Sequence, residues 1–107
     1  NMAMTASMEC KNYVHIVFNN GAHDSVGGQP PVGLKIDFCA IAQAVGYKAA
    51  YSVETMEALE AKLAEFKNAE GPVFLQICVK KGNRKDLGRP TTTPIQNKEA
   101  FMEFLNK

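Results

Sequence analysis

Apolar residues are not spread evenly along this chain but fall into blocks of two periodicities. Tyr13-Val14-His15-Ile16-Val17-Phe18 is β-branched, aromatic and almost continuously apolar, the pattern of a strand covered on both faces in a parallel sheet. Val73 to Val79 repeats that pattern more strongly, and Lys48 to Val53 reads as a shorter strand between the two. Elsewhere the spacing is helical. Asn1 to Cys10 mixes Met, Ala and Cys in a helix-compatible way with no cap in front of it. Asp37 is placed to cap a helix from about Phe38 to Val45, with Phe38, Ile41, Ala42 and Val45 on one face and Gly46 as the stop. Ser52 or Thr55 caps the next, whose Met56, Leu59, Leu63 and Phe66 share a face, and Gly71-Pro72 ends it. Asn97 is positioned to cap a last helix carrying Ala100, Phe101, Phe104 and Leu105.

The predicted order is helix, strand, loop, helix, strand, helix, strand, loop, helix. Strands alternating with helices imply βαβ crossovers, so the expected fold class is α/β, a three-layer αβα arrangement around a parallel sheet. Two stretches interrupt the alternation. Asn19 to Gly33 holds Gly21, Gly27, Gly28 and Gly33 with two prolines, and Lys80 to Pro94 is polar, basic and irregular. Both follow strands, where ligands of such sheets bind, so both are expected to line one mouth.

At 107 residues the chain has the size of one domain, and there is neither an internal repeat nor a low-complexity tract. Twelve Lys and Arg oppose eleven Asp and Glu, a net charge of +1, which gives no bulk electrostatic reason for a nucleic-acid partner. The apolar runs fall far short of the ~18 residues of a bilayer span, and no secretory leader pattern opens the chain, so no membrane association is expected. Cys10, Cys39 and Cys78 form no CxxC pair and are odd in number, which points to a reducing, cytoplasmic setting.

The candidate chemistry lies in the two loops. Asn19-Asn20 puts two carboxamides at the end of a strand, followed by flexible backbone, and amide and carbonyl oxygens are ligands that a hard cation such as Mg²⁺ prefers. An Asn-Gly-rich turn explains the same residues. His23, Asp24 and Ser25 are adjacent, which prevents them from acting on one another as a catalytic triad. His23 is either a cofactor or substrate contact that exchanges protons near neutrality, or a solvent-facing loop residue. His15 reads as a packed histidine within its strand, Cys39 and Cys78 as small core residues, and the methionines as packing. Lys80, Lys81, Arg84, Lys85 and Arg89 put five cations within ten positions, either a solvated face or a trap for an anionic group, for which Arg offers a bidentate fork.

These residues also carry a family likeness. Val17 to Gln29 resembles the second half of the thiamine diphosphate signature, which opens with Gly-Asp-Gly and closes in Asn-Asn. Within that superfamily of 2-oxo acid decarboxylases, Asn19 to Gln29 together with Lys81 to Pro94 is similar to the phosphonopyruvate decarboxylase family, and Asn97 to Met102 fits that family's end. The likeness covers essentially the whole chain but only the C-terminal end of a family member. Residues 1–107 are thus expected to be the C-terminal part of a thiamine diphosphate domain that lacks its upstream Gly-Asp-Gly half. Pro31 departs from the pattern, which has Thr there.

The resemblance implies a ligand set and roles. The second Asn and the backbone carbonyl two residues later ligate Mg²⁺ in the family, which here are Asn20 and Ala22. Gly21, Ser25 and Val26 fall at cofactor-contacting positions, His23 at a catalytic one, and Arg84 and Arg89 on the loop that would hold the substrate. The implied cofactors are thiamine diphosphate and Mg²⁺, with a small 2-oxo acid as substrate. The implied partners are the remainder of the enzyme, including the pyrimidine-binding domain, and further copies in a homo-oligomer. Alone, this chain is expected to anchor cofactor without catalysing CO₂ loss. A sulfopyruvate decarboxylase, or a noncatalytic βαβ module that binds a partner chain, are the alternatives.

Overall fold

A computed structural model describes residues 1–106 and places seven regular elements in the expected order: α1 (Met2–Ser7), β1 (Val14–Asn19), α2 (Phe38–Ala44), β2 (Ala49–Val53), α3 (Met56–Phe66), β3 (Val73–Cys78) and α4 (Pro94–Leu105). The three strands form one parallel sheet in the order β1-β3-β2. β3 takes the centre because Val73, Phe74 and Leu75 are all buried, so its continuous apolar run has cover on both faces.

The two faces of β3 hold two separate cores, as the alternation of a strand requires. Val73, Leu75 and Ile77 pack with Val53 and with Phe66 of α3. Phe74 points the other way, into a cluster with Ala6 of α1, Ala42 of α2 and Tyr47. The result is the three-layer α/β arrangement that the pattern predicts. His15 is a packed histidine, with its Nδ1 2.9 Å from the Tyr47 hydroxyl and its ring edge-on to Phe74. Burial pushes its imidazole below the ordinary value of 6.5.

Helix ends follow local chemistry, with two corrections. α2 starts where Asp37 accepts the Ala40 N–H at 2.9 Å and stops before Gly46, at φ 104°. α3 is capped by Thr55 rather than Ser52. The first helix does have a cap: Asn1 itself accepts the Met4 N–H at 3.2 Å. α4 begins earlier than Asn97 because Thr93 and Gln96 close a reciprocal capping box around Pro94 at the first helical position. Asn97 sits inside the first turn and accepts the Thr92 hydroxyl instead.

Two further expectations are overturned. β1 is an edge strand, not one covered on both faces. Val14 and Ile16 are each 40% exposed and Phe18 is 70% exposed. By register these three lie on the same face as Val73, Leu75 and Ile77, and α3 covers only the β3 and β2 part of that face. Of the methionines only Met2 packs against a core; Met4, Met8, Met56 and Met102 are exposed. No helix among the described residues is long and apolar enough to cross a membrane.

Candidate functional site

The site is built where β1 and β3 end. Asn19, the last residue of β1, passes its carbonyl to the Val79 N–H at 3.0 Å, so the two loops that follow these strands leave the sheet side by side. The loop after β1 contains two single 3₁₀ turns, Asp24–Val26 and Val32–Leu34. It folds back on itself through a bridge between His23 and Gln29, with the His23 N–H donating to the Gln29 carbonyl at 2.9 Å. Gly27 and Gly28, at φ 86° and 67°, supply the left-handed backbone of that reversal.

The adjacent asparagines are treated oppositely. Asn19 is buried, its Nδ2–H donating to the Gly33 carbonyl at 2.7 Å and its Oδ1 accepting the Gly21 N–H at 3.1 Å. It staples the two ends of the loop together. Asn20 is only half-buried and lines a cleft of about 470 Å³ between the two loops. Its Oδ1 accepts the Ala22 N–H at 3.1 Å and its Nδ2–H donates to Asp24 Oδ2 at 2.8 Å. Gly21 between them has φ 62°, and a Cβ there would collide with the Leu34 side chain.

Ser25, Lys80 and Arg89 line the same cleft. Ala22 and Gly21 line a neighbouring hollow of about 290 Å³ that shares Asn20 as a wall. Val26 is exposed in the 3₁₀ turn, and His23 is exposed with its backbone, not its ring, engaged in the loop. Arg84 does not join the cleft lining and pairs with Asp86 at 3.3 Å on the exposed outer side. The structure therefore brings Asn20, Ser25 and Arg89 to one cleft with Ala22 beside it, and leaves Arg84 out.

Two residues to which sequence alone assigned no joining role connect the loops. Asp24 Oδ2 accepts the Gly82 N–H at 3.1 Å as well as Asn20, and Lys81 Nζ donates to the Gly28 carbonyl at 2.6 Å. The only sequence signals for them were an acid four residues after Asn20 and a lysine at the start of the basic run. Cys39 is half-buried in α2, and burial raises its thiol, which disfavours the nucleophilic thiolate. Among the described residues no three His, Cys, Asp or Glu side chains gather as a metal cluster, and the oxygens that line the cleft include the Asn20 amide and the Asp24 carboxylate.

Residues 1–77 match the family described as thiamine pyrophosphate enzyme, C-terminal TPP binding domain. The chain is 35% identical over 94 residues to the phosphonopyruvate decarboxylase of Streptomyces viridochromogenes, a match covering 88% of this chain and 24% of that protein. It is 33% identical over 103 residues to the phosphonopyruvate decarboxylase of Streptomyces hygroscopicus, covering 96% of this chain and 26% of that protein. The chain thus spans about a quarter of the length of these curated relatives. With a parallel α/β sheet and two loops meeting at its carboxyl edge, the chain belongs to the family of C-terminal TPP-binding domains of thiamine pyrophosphate enzymes.

Proposed function

We propose that these residues anchor the diphosphate of thiamine diphosphate, through Mg²⁺, in a carboxy-lyase that converts phosphonopyruvate to phosphonoacetaldehyde and CO₂. The observation that carries this reading is the placement of Asn20. It stands half-buried just past the end of β1, on the cleft where both loops meet. The likeness to two relatives named phosphonopyruvate decarboxylase supports the substrate.

The donors suit the ion. Asn20 Oδ1 keeps a lone pair beyond the one that takes the Ala22 N–H, and the same tight turn sets the Ala22 carbonyl two residues away. Both ligands are neutral, so a carboxylate and the phosphate oxygens would complete the shell. In the resembled family that carboxylate is the Asp of Gly-Asp-Gly, a tripeptide these 107 residues do not contain. When bound, thiamine diphosphate supplies the electron sink for CO₂ loss. The chain holds and orients: Asn20 and Ala22 the metal, Gly21, Ser25 and Val26 the cofactor, and Arg89 the anionic end of the substrate, while Arg84, paired with Asp86 outside the cleft, drops out of the substrate role that the resemblance implied. His23, exposed on the same loop, contacts the substrate.

The uncovered β1 row and the exposed α4 support contact with the remainder of the enzyme, including its pyrimidine-binding domain, or with another subunit of a homo-oligomer. Three cysteines free of disulfides support a cytoplasmic setting.

Full-length enzyme decides the matter. Asn20→Ala is expected to abolish saturable Mg²⁺-dependent binding of thiamine diphosphate in calorimetry, and wild-type binding by that variant would remove the metal reading. Comparing kcat/KM for phosphonopyruvate and sulfopyruvate decides the substrate, since discrimination is that ratio. The isolated 107 residues are expected to release no CO₂ from either.

A further inference from the structure

Resting on that reading of Asn20, we propose that Asp24 is the positioning residue of the site: its Oδ2 fixes which atom of the Asn20 carboxamide faces the metal, and it clasps the second loop to the first. Two donors from distant parts of the chain converge on this single oxygen, Asn20 Nδ2–H at 2.8 Å and Gly82 N–H at 3.1 Å.

A carboxamide can be turned half-way round at almost no steric cost, and the two orientations are chemically opposite at a cation site. One presents an oxygen ligand and the other an N–H donor that repels the ion. Here the choice is made from both sides. An ionised carboxylate only accepts, so Asp24 tolerates the nitrogen of Asn20 and rejects its oxygen. The Ala22 N–H only donates, so it tolerates the oxygen, at 3.1 Å, and rejects the nitrogen. The reversed carboxamide would face two repulsions at once. Asp24 Oδ2, already taking two donors, is committed to this task.

The same oxygen ties the anion-binding arm to the metal arm. Gly82 follows Lys81, whose Nζ is held by the Gly28 carbonyl at 2.6 Å, so the second loop is pinned at its base by two bonds to the first. Gly28 has φ 67°, a left-handed backbone that favours glycine, and a Cβ there would lie 2.6 Å from that ammonium and make the lysine tip shift. Lys80 and Arg89, which line the cleft, are carried on this pinned loop. Asp24 therefore sets the metal ligand and the position of the cationic wall together.

The test uses full-length enzyme and two readouts that need no turnover: calorimetric titration of Mg²⁺ with thiamine diphosphate present, and tryptic cleavage of the metal-free protein within residues 80–89. With circular dichroism unchanged, Asp24→Ala is expected to weaken Mg²⁺ binding about tenfold, as the loss of a charge-assisted bond implies, and to speed cleavage several-fold. Asp24→Asn is expected to restore both to within about threefold of wild type, because one amide oxygen can take both donors. If the alanine variant does not fold, Asp24→Ser, too short to reach Gly82, replaces it. Asp24→Ala with wild-type Mg²⁺ affinity and cleavage, beside an Asn20→Ala variant that binds no Mg²⁺, would overturn the clasp. So would Asp24→Asn failing as badly as alanine, which would make the carboxylate a ligand. Asn20→Ala with unchanged Mg²⁺ affinity, beside faster cleavage in Asp24→Ala, would instead remove the metal reading and leave the clasp standing.

Discussion

Asn19 and Asn20 carry the same side chain and meet opposite fates because consecutive residues at a strand end project to opposite sides. Asn19, buried and doubly bonded, is structural, so Asn19→Ala is expected to cost about 1–3 kcal/mol in chemical denaturation by leaving the Gly33 carbonyl and Gly21 N–H unpaired. The motif pointed to Asn20 as the candidate ligand. It could not show that the acid beside that carboxamide also clasps the second loop, because Gly82 lies 58 residues beyond Asp24. Nor did five cations within ten positions say which of them face the cleft. Arg89 lines it, whereas Arg84 is spent on an exposed pair with Asp86, an interaction of little worth. In full-length enzyme Arg89→Ala is therefore expected to raise KM for the 2-oxo acid about tenfold, as the loss of a charge-assisted bond of ~1.5–3 kcal/mol allows, and Arg84→Ala distinctly less. Equal effects would contradict this placement. His15 adds a pH dependence. Its folded-state pKa lies below the ordinary 6.5, so just below that pH the unfolded chain binds more protons than the folded one. Its contribution to stability is complete above about pH 6.5 and shrinks as the pH falls through the folded value. Glu65 and Glu70, held down by Lys62 and Lys48, act only below their ordinary 4.5, so the windows separate. Melting temperature should fall between pH 7 and pH 5.5, and His15→Gln should flatten that slope.

Element boundaries show what local chemistry can and cannot fix. Asp37, Thr55 and Gly46 act where the spacing puts them, because caps and left-handed stops involve neighbours within one helical turn. At α4 two capping residues compete four positions apart. Thr93 wins because Pro94 fits the first helical position and Gln96 closes the box, while Asn97 has no orphan N–H of its own to serve. Thr93→Ala should therefore cost α4 about 1 kcal/mol, seen as lost protection of its amides from hydrogen exchange, and Asn97→Ala clearly less. β3 was legible as a strand because its apolar, β-branched run lies in consecutive residues. Phe74, fully buried among Ala6, Ala42 and Tyr47, anchors one whole layer, and Phe74→Ala is expected to cost about 3–5 kcal/mol by urea unfolding.

At the scale of the molecule, the described residues have a radius of gyration of 17.2 Å, against about 13 Å for a compact chain of this length. The excess reflects surfaces that these residues do not cover for themselves. α4 is amphipathic in sequence, yet Ile95, Phe101, Phe104 and Leu105 are all exposed, as is the β1 row ending in Phe18. The isolated 107 residues should accordingly sediment above 11.7 kDa at micromolar concentration, and Phe18→Asp with Phe104→Asp should return them to monomer. The apolar run of β1 is as continuous as that of β3, and sequence alone therefore gave both strands the same cover. Periodicity, caps and the Asn-Asn loop determined the elements, their parallel sense and the family likeness, because each depends on residues close together along the chain. Which strand is central, which asparagine is sealed, which arginine reaches the cleft and which acid joins the loops were decided only by the tertiary structure, because each depends on groups that folding brings together from far apart.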